Sequence, residues 1–182
     1  LEDAKLNEET YNQILENYKD KIYESYIQIN YYLSHPILNQ KKYMLRIRKK
    51  KNTYELTLKR PLHNHRLETN IPISKETKDK ILNHQTVKNE IMDILFKEGI
   101  QIAEIENKFS LTTYRTDIHL NNGILSLDKN EYLGMVDFEL EYEVNNEEEG
   151  FKQFLEIIQP YSIQYHKNCD SKIKRVLAVY NS

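Results

Sequence analysis

Residues 137–144 read Asp-Phe-Glu-Leu-Glu-Tyr-Glu-Val, so that four carboxylates alternate with four apolar side chains. Successive residues of a β-strand point to opposite faces of a sheet, and the stretch therefore predicts a strand with one acidic and one apolar face. Carboxylates at alternate positions of one strand repel one another at short range. Solubility alone is a weak explanation for four of them, which makes a purely solvent-exposed acidic face less favoured.

Basic side chains alternate with apolar ones on strands earlier in the chain. Arg46 and Arg48 share one strand face, and Lys59 and Arg115 lie on similar alternating stretches. The basic strands come early and the acidic strand comes late, so the two signs of charge are segregated by strand. The predicted strands are residues 26–33, 43–49, 53–60, 66–73, 110–120, 123–128, 137–144 and 173–180.

Amphipathic helices are predicted where apolar residues recur at helical spacing. Asn7 and Ser74 are expected as N-caps and Gly99 as a C-cap. Turn residues at 51–52 and 121–123 join neighbouring strands into hairpins, which implies antiparallel pairing. Runs of strands with few helices between them predict an α+β fold. The predicted helical stretches are 7–18, 74–77, 91–99 and 151–158.

The charged strand faces allow two interpretations. In the first, an antiparallel sheet packs one face on helices and exposes the other to water. In the second, about eight strands close into a barrel whose charged faces line a polar lumen, while amphipathic helices cover the apolar outer faces. Such a lumen would bind a highly charged ligand, because Arg grips anionic oxygens and carboxylates hold hard cations.

Composition limits the class of protein. A chain of 182 residues suggests one domain, 1–182, whose core needs no staple. The net charge of -2 gives no general attraction to nucleic acid, and the absence of a run of about 18 apolar residues predicts no transmembrane helix. Cys169 is the single cysteine, which excludes an internal disulfide and fits a reducing compartment such as the cytoplasm.

Taken in order, these motifs resemble the CYTH superfamily, also called triphosphate tunnel metalloenzymes, and most closely its small single-domain members from low-GC Gram-positive bacteria. The resemblance implies an eight-stranded antiparallel β-tunnel that binds a triphosphate-containing small molecule with Mg²⁺ or Mn²⁺. The motifs are Leu-Arg-Ile-Arg at 45–48, Leu-Thr-Leu-Lys at 56–59, Glu68, Thr-Tyr-Arg at 113–115, Leu-Asp at 127–128, Tyr-Leu-Gly at 132–134, residues 137–143 and Ser-Lys at 171–172.

The resemblance also implies roles for the basic residues. Arg46, Arg48, Lys59 and Arg115 would bind phosphate oxygens and act in catalysis, and Lys172 would be a further substrate-binding lysine near the C-terminus.

Four carboxylates receive roles in the same way. Glu139 and Glu141 would bind the metal ion. Glu143 shares their strand face and could substitute for one of them, and Glu68 would be a metal ligand or orient a water molecule.

One part of the family pattern does not match. The family signature is a Glu-x-Glu-x-Lys strand before the first helix, and residues 1–5 read Leu-Glu-Asp-Ala-Lys in its place. Only Asp3 and Lys5 fit. Either the native start lies outside this sequence or the signature has degenerated, so no N-terminal site residue is assigned.

The expected activity is metal-dependent hydrolysis of an inorganic, thiamine or nucleoside triphosphate. Three alternatives stay open: an adenylate cyclase that makes cyclic AMP and pyrophosphate, a non-catalytic module that binds nucleotides or polyphosphate, and a plain sheet domain with a solvated face that binds a partner protein and has no affinity for triphosphate. His119 is a weak candidate for a base at the tunnel mouth, and Cys169 is interpreted as a plain free cysteine.

Overall fold

The computed structural model describes residues 1–182, which form eight strands and six helices. The strands are β1 (Glu2–Leu6), β2 (Ile22–Ser34), β3 (Met44–Lys50), β4 (Thr53–Leu62), β5 (His65–Ile73), β6 (Glu106–Leu120), β7 (Gly123–Tyr132) and β8 (Met135–Val144). The helices are α1 (Glu8–Asn17), α2 (Pro36–Lys41), α3 (Lys75–Leu82), α4 (Glu90–Lys97), α5 (Glu147–Ile158) and α6 (Lys172–Tyr180). None of the helices is both long and apolar enough to cross a membrane.

The strands belong to one sheet in the order β1-β8-β7-β6-β2-β3-β4-β5. The predicted α+β class is confirmed, and so is antiparallel pairing in the hairpins β3–β4 and β6–β7. Strands β1 and β5 are the two ends of this order, so hydrogen bonds do not close the sheet.

The chain divides into two compact units. Unit 1 consists of Leu1–Ile27 and Thr112–Ser182, and unit 2 of Gln28–Leu111. In unit 1, Phe138, Leu140 and Tyr142 point away from the acidic face of β8 into a core that α1 and α5 complete. The alternation read from residues 137–144 therefore gives one buried apolar face, as predicted.

The core of unit 2 repeats this arrangement with its own residues. Leu45 and Ile47 of β3 are buried together with Leu56 of β4. Ile91 and Leu95 of α4 pack against this group, and the helix ends before Gly99, whose φ of 82° suits a residue without a Cβ. The apolar faces of β3 and β4 pack in the core, so the basic residues on their opposite faces are not part of this core.

The predicted strand at 173–180 is wrong, because these residues form α6. Ile173, Val176 and Val179 recur every third residue, which is the spacing of a helix face, and the Ser171 side chain accepts a hydrogen bond from the backbone N–H of Lys174. The eighth strand is instead β1, which pairs with β8 and places Asp3 opposite Glu141. The short helix α2 is also missing from the prediction. The N-caps Asn7 and Ser74 are confirmed.

Candidate functional site

Three carboxylates converge in unit 1 on the polar face of β7 and β8. Asp128 lies opposite Glu139 in the β7–β8 register, and Glu141 follows two residues later on the same face. One oxygen from each of the three carboxylates lies within 4.8 Å of the others, and Asp128 and Glu139 are buried. Such a convergence of charged oxygens in a buried position requires positive charge between them.

Two basic side chains supply that charge. Arg115 on β6 donates to both oxygens of Asp128 at 2.7 Å and to Glu141 at 2.6 Å. The Lys172 ammonium, at the first residue of α6, lies 3.0 Å from Asp128 and 2.8 Å from Glu139, and it also contacts Glu141. One ammonium is therefore surrounded by all three carboxylates.

The pKa values reflect this pairing. Burial alone would raise the pKa of Asp128, but the hydrogen bond from Arg115 and the charge of Lys172 outweigh it and lower the pKa. Burial would likewise lower the pKa of Arg115 and Lys172, and the surrounding carboxylates raise both instead. Asp128, Arg115 and Lys172 are therefore charged at neutral pH.

A second set of residues adjoins the same carboxylates. Arg175 of α6 donates to Asp137 at 3.0 Å and to Glu139 at 2.7 Å. Cys169 lies 3.1 Å from Asp3 through its sulfur, and burial together with the Glu139 charge raises the pKa of the thiol to about 12. The interpretation of Cys169 as a free, unreactive cysteine agrees with this environment.

Unit 2 carries a basic face made by β3 and β4. Arg46 is 7% exposed, and its Nε has no hydrogen-bond partner. Arg48 donates from Nε to Asn30 at 2.8 Å. Burial, followed by the nearby charges of Arg46 and Arg48, lowers the pKa of Lys59, although Glu68 opposes this effect from 3.7 Å. Cations that repel one another in this way favour an anion on their face.

The structure places the remaining predicted residues less centrally. Glu143 is exposed at the end of β8, and Glu68 of β5 faces Lys59 in the β4–β5 register. Neither belongs to the groups of carboxylates that could hold a metal ion. Lys172 does lie among the predicted metal ligands, although it comes from a helix.

Sequence reasoning gave no role to Asp128 or Asn30. Ser126 and Asp128 alternate with Leu125 and Leu127, so the sequence alone shows that Asp128 lies on the polar face of its strand. Its position opposite Glu139 depends on the β7–β8 register, which the alternation alone does not determine. Asn30 is a buried neutral side chain between tyrosines and isoleucines, and no charge pattern marks it.

A family model, a curated protein and two solved structures match this chain. The model of the CYTH domain matches residues 4–175. YjbK of Bacillus subtilis (strain 168), a candidate triphosphatase, is 35% identical over 126 residues, which are 69% of this chain and 65% of YjbK. The match therefore spans less than two thirds of that relative's length.

Two solved structures are similar over nearly the whole chain. A candidate adenylate cyclase from Bacillus halodurans is 30% identical with a TM-score of 0.77, covering 95% of this chain and 94% of its own. HpAC1 from Hippeastrum, a candidate adenylyl cyclase described as having a dominant triphosphatase activity, is 17% identical with a TM-score of 0.80. That match covers 97% of this chain and 93% of HpAC1. At this low sequence identity, the match shows a shared fold and nothing about function.

Proposed function

This chain belongs to the CYTH domain family, and we propose that it hydrolyses a triphosphate with the help of a divalent cation. The observation that carries the proposal is Arg46, a buried guanidinium whose Nε lacks a partner on a strand face shared with Arg48. A buried donor without an acceptor costs free energy, and an anionic oxygen of a phosphate chain would relieve that cost.

The basic residues are proposed as the phosphate ligands. Arg46, Arg48 and Lys59 offer forked or point donors to the phosphoryl oxygens, and Arg115 adds positive charge in unit 1. In the transition state of phosphoryl transfer the charge on the equatorial oxygens must be stabilised, which is what fixed guanidinium and ammonium groups do. Lys172 is proposed as a further cation of the site.

Asp128, Glu139 and Glu141 are the residues that would hold Mg²⁺ or Mn²⁺. Their oxygens fit a hard cation by chemistry and by proximity, since Lys172 already shows that a positive charge is accepted among them. A bound divalent cation supplies charge that neutralises the phosphoryl oxygens as the anhydride bond breaks. Glu143 is proposed only as a substitute ligand because it is exposed.

Glu68 is proposed to orient the attacking water. Its carboxylate pairs with Lys59 at 3.7 Å, and such a carboxylate can accept a hydrogen bond from water next to a bound phosphate. Attack of this water on the terminal phosphorus releases orthophosphate. The closed β-tunnel of the family is proposed for this chain as well, as is a cytoplasmic location, which rests on the free Cys169.

Product analysis tests the proposal. The protein is incubated with inorganic triphosphate, thiamine triphosphate or ATP, each with Mg²⁺ and with Mn²⁺, and the products are separated by anion-exchange chromatography. Orthophosphate is expected from at least one substrate. Arg46→Ala should abolish most of this release, whereas Arg66→Ala, which changes an exposed arginine of the same unit, should not. No product from any substrate would reject the hydrolase.

The similarity to the Bacillus halodurans protein favours adenylate cyclase as the second candidate. In that reaction the 3′-hydroxyl of ATP attacks the α-phosphorus, and the same cations would hold the phosphate chain. Cyclic AMP and pyrophosphate in the same assay would identify this activity. Binding of triphosphate without any product would identify a non-catalytic module.

A further inference from the structure

The side chain of Asn30 is buried on β2 with only half of its amide in use. Its residue is 1% exposed, and its Oδ1 accepts the hydrogen bond from Arg48 Nε at 2.8 Å. The Nδ2 group, which can donate two hydrogen bonds, is buried and has no partner. Buried amide groups are almost always satisfied, so this donor needs an explanation.

A second unsatisfied donor lies close by on β3. In the β2–β3 register, Asn30 is opposite Arg48 and Tyr32 is opposite Arg46, so Asn30 and Arg46 are diagonal neighbours. The contact between Asn30 and Arg48 places the amide on the face that carries both arginines. The buried Nε of Arg46 also lacks a partner. Two buried donors without acceptors, next to a second guanidinium, form a site for an anionic oxygen.

Other asparagines of the chain do not share this arrangement. Asn70 donates to Glu68 at 3.1 Å and accepts from Thr57 at 2.6 Å, and Asn130 donates to Asp137 at 2.9 Å. The Nδ2 of Asn89 also lacks a partner, but its Oδ1 caps α4 at the N–H of Met92, which accounts for its position. Asn30 alone among these combines an unused buried donor with neighbouring arginines.

We propose that Asn30 is a substrate-binding residue, whose Nδ2 donates to a phosphoryl oxygen beside Arg46 while its Oδ1 holds Arg48 in position. This inference rests on the proposed triphosphate substrate and adds a neutral ligand to it. A neutral donor binds a phosphoryl oxygen without adding further repulsion to a face that already holds Arg46, Arg48 and Lys59. An acidic residue at position 30 would still pair with Arg48, but it would repel the phosphate.

Calorimetric titration with inorganic triphosphate tests the role. Asn30→Asp keeps the shape of the side chain and an acceptor for Arg48, so the fold should persist, and a thermal melt checks this. Binding should weaken by at least about tenfold, the size expected for a hydrogen bond to a charged group. Asn30→Ser, which shortens the donor without adding charge, should weaken binding less than Asn30→Asp.

Asn89→Asp is the matched control, because it makes the same change at an amide whose Nδ2 also lacks a partner but whose Oδ1 caps α4, a role that aspartate fills equally well. Its affinity should stay within about twofold of the wild type. If Asn30→Asp binds as tightly as the wild type, the inference is wrong while the proposed function stands. If the wild type itself does not bind inorganic triphosphate, thiamine triphosphate or ATP, both fall.

Discussion

Lys172→Met should destabilise the protein strongly in the absence of divalent cations. The ammonium is 15% exposed and lies within 3.0 Å of both Asp128 and Glu139. Methionine has a similar length but no charge, so three carboxylates would share a buried position with Arg115 and Arg175 as their remaining cations. Removal of one partner from a buried ion pair costs about 3–5 kcal/mol, which for a chain of this size lowers the melting temperature by roughly 6–20 °C.

Divalent cations should reverse much of this loss. If Asp128, Glu139 and Glu141 hold Mg²⁺, the cation takes the place that the ammonium vacates and binds the folded state. Ligand at a hundred times its dissociation constant stabilises a protein by about 2.7 kcal/mol. Urea unfolding of wild type and Lys172→Met, each with EDTA and with a series of MgCl₂ concentrations, measures both effects.

Lys174→Met provides the control, because Lys174 is on the same helix but its pair with Asp170 is largely exposed. It should change stability little and should not alter the response to Mg²⁺. The reasoning fails if Lys172→Met is as stable as the wild type in EDTA. It also fails if Mg²⁺ stabilises the two proteins equally, since the ammonium and the metal ion would then not compete for the same carboxylates.

Three further outcomes are expected. Arg46→Ala should reduce the turnover of the hydrolysed triphosphate by about 10²–10³-fold, the loss expected when one transition-state donor is removed. Steady-state kinetics with Arg66→Ala as the control measures this effect, and wild-type turnover in Arg46→Ala would contradict the prediction. Because the pKa of Asp128 is lowered, its charged form contributes stability that is complete well above the unfolded-state pKa of 3.8 and is lost as pH falls below 3.8 and through the folded-state value. Urea midpoints measured from pH 7 down to pH 2 should therefore change less steeply below about pH 5 in Asp128→Asn than in the wild type, and parallel curves would refute the pairing. With a pKa of about 12, the Cys169 thiol should react with iodoacetamide at pH 8 at least about a hundredfold more slowly in folded than in urea-unfolded protein, and equal rates would show that the thiol is not protected.

The sequence predicted best those features that depend on local alternation. Seven of the eight predicted strands match the structure, because each has a buried face whose period is visible in the residues. The strand prediction for residues 173–180 was wrong because a three-residue repeat of β-branched residues resembles a two-residue alternation over a short window. β1 was not among the predicted strands, although residues 1–5 had been compared with the family signature, since its five residues show only a short pattern.

The side-chain pairs that form between neighbouring strands were less predictable than the strands themselves. Arg115 was assigned to phosphate, yet in the structure it holds Asp128 and Glu141, and this follows from the register of three neighbouring strands. The sequence shows that charges lie on a face, but the hairpin register and the position of α6 decide which charges meet. Asn30 illustrates the same limit, because its proposed role depends on an Nδ2 donor that has no hydrogen-bond partner in the structure.

The two polar faces differ in what they lack, and this difference bears on function. In unit 1 four carboxylates, at Asp128, Asp137, Glu139 and Glu141, meet three cations, so any divalent cation there must compete with a lysine that is already bound. In unit 2 Asn30 and Arg46 present donors with no acceptor at all. A site that is already neutralised gains less from a ligand than one whose polar groups are unsatisfied. The basic face of unit 2 is therefore the stronger indication of a ligand, and the proposed phosphate binding should depend on unit 2 even when no metal is present.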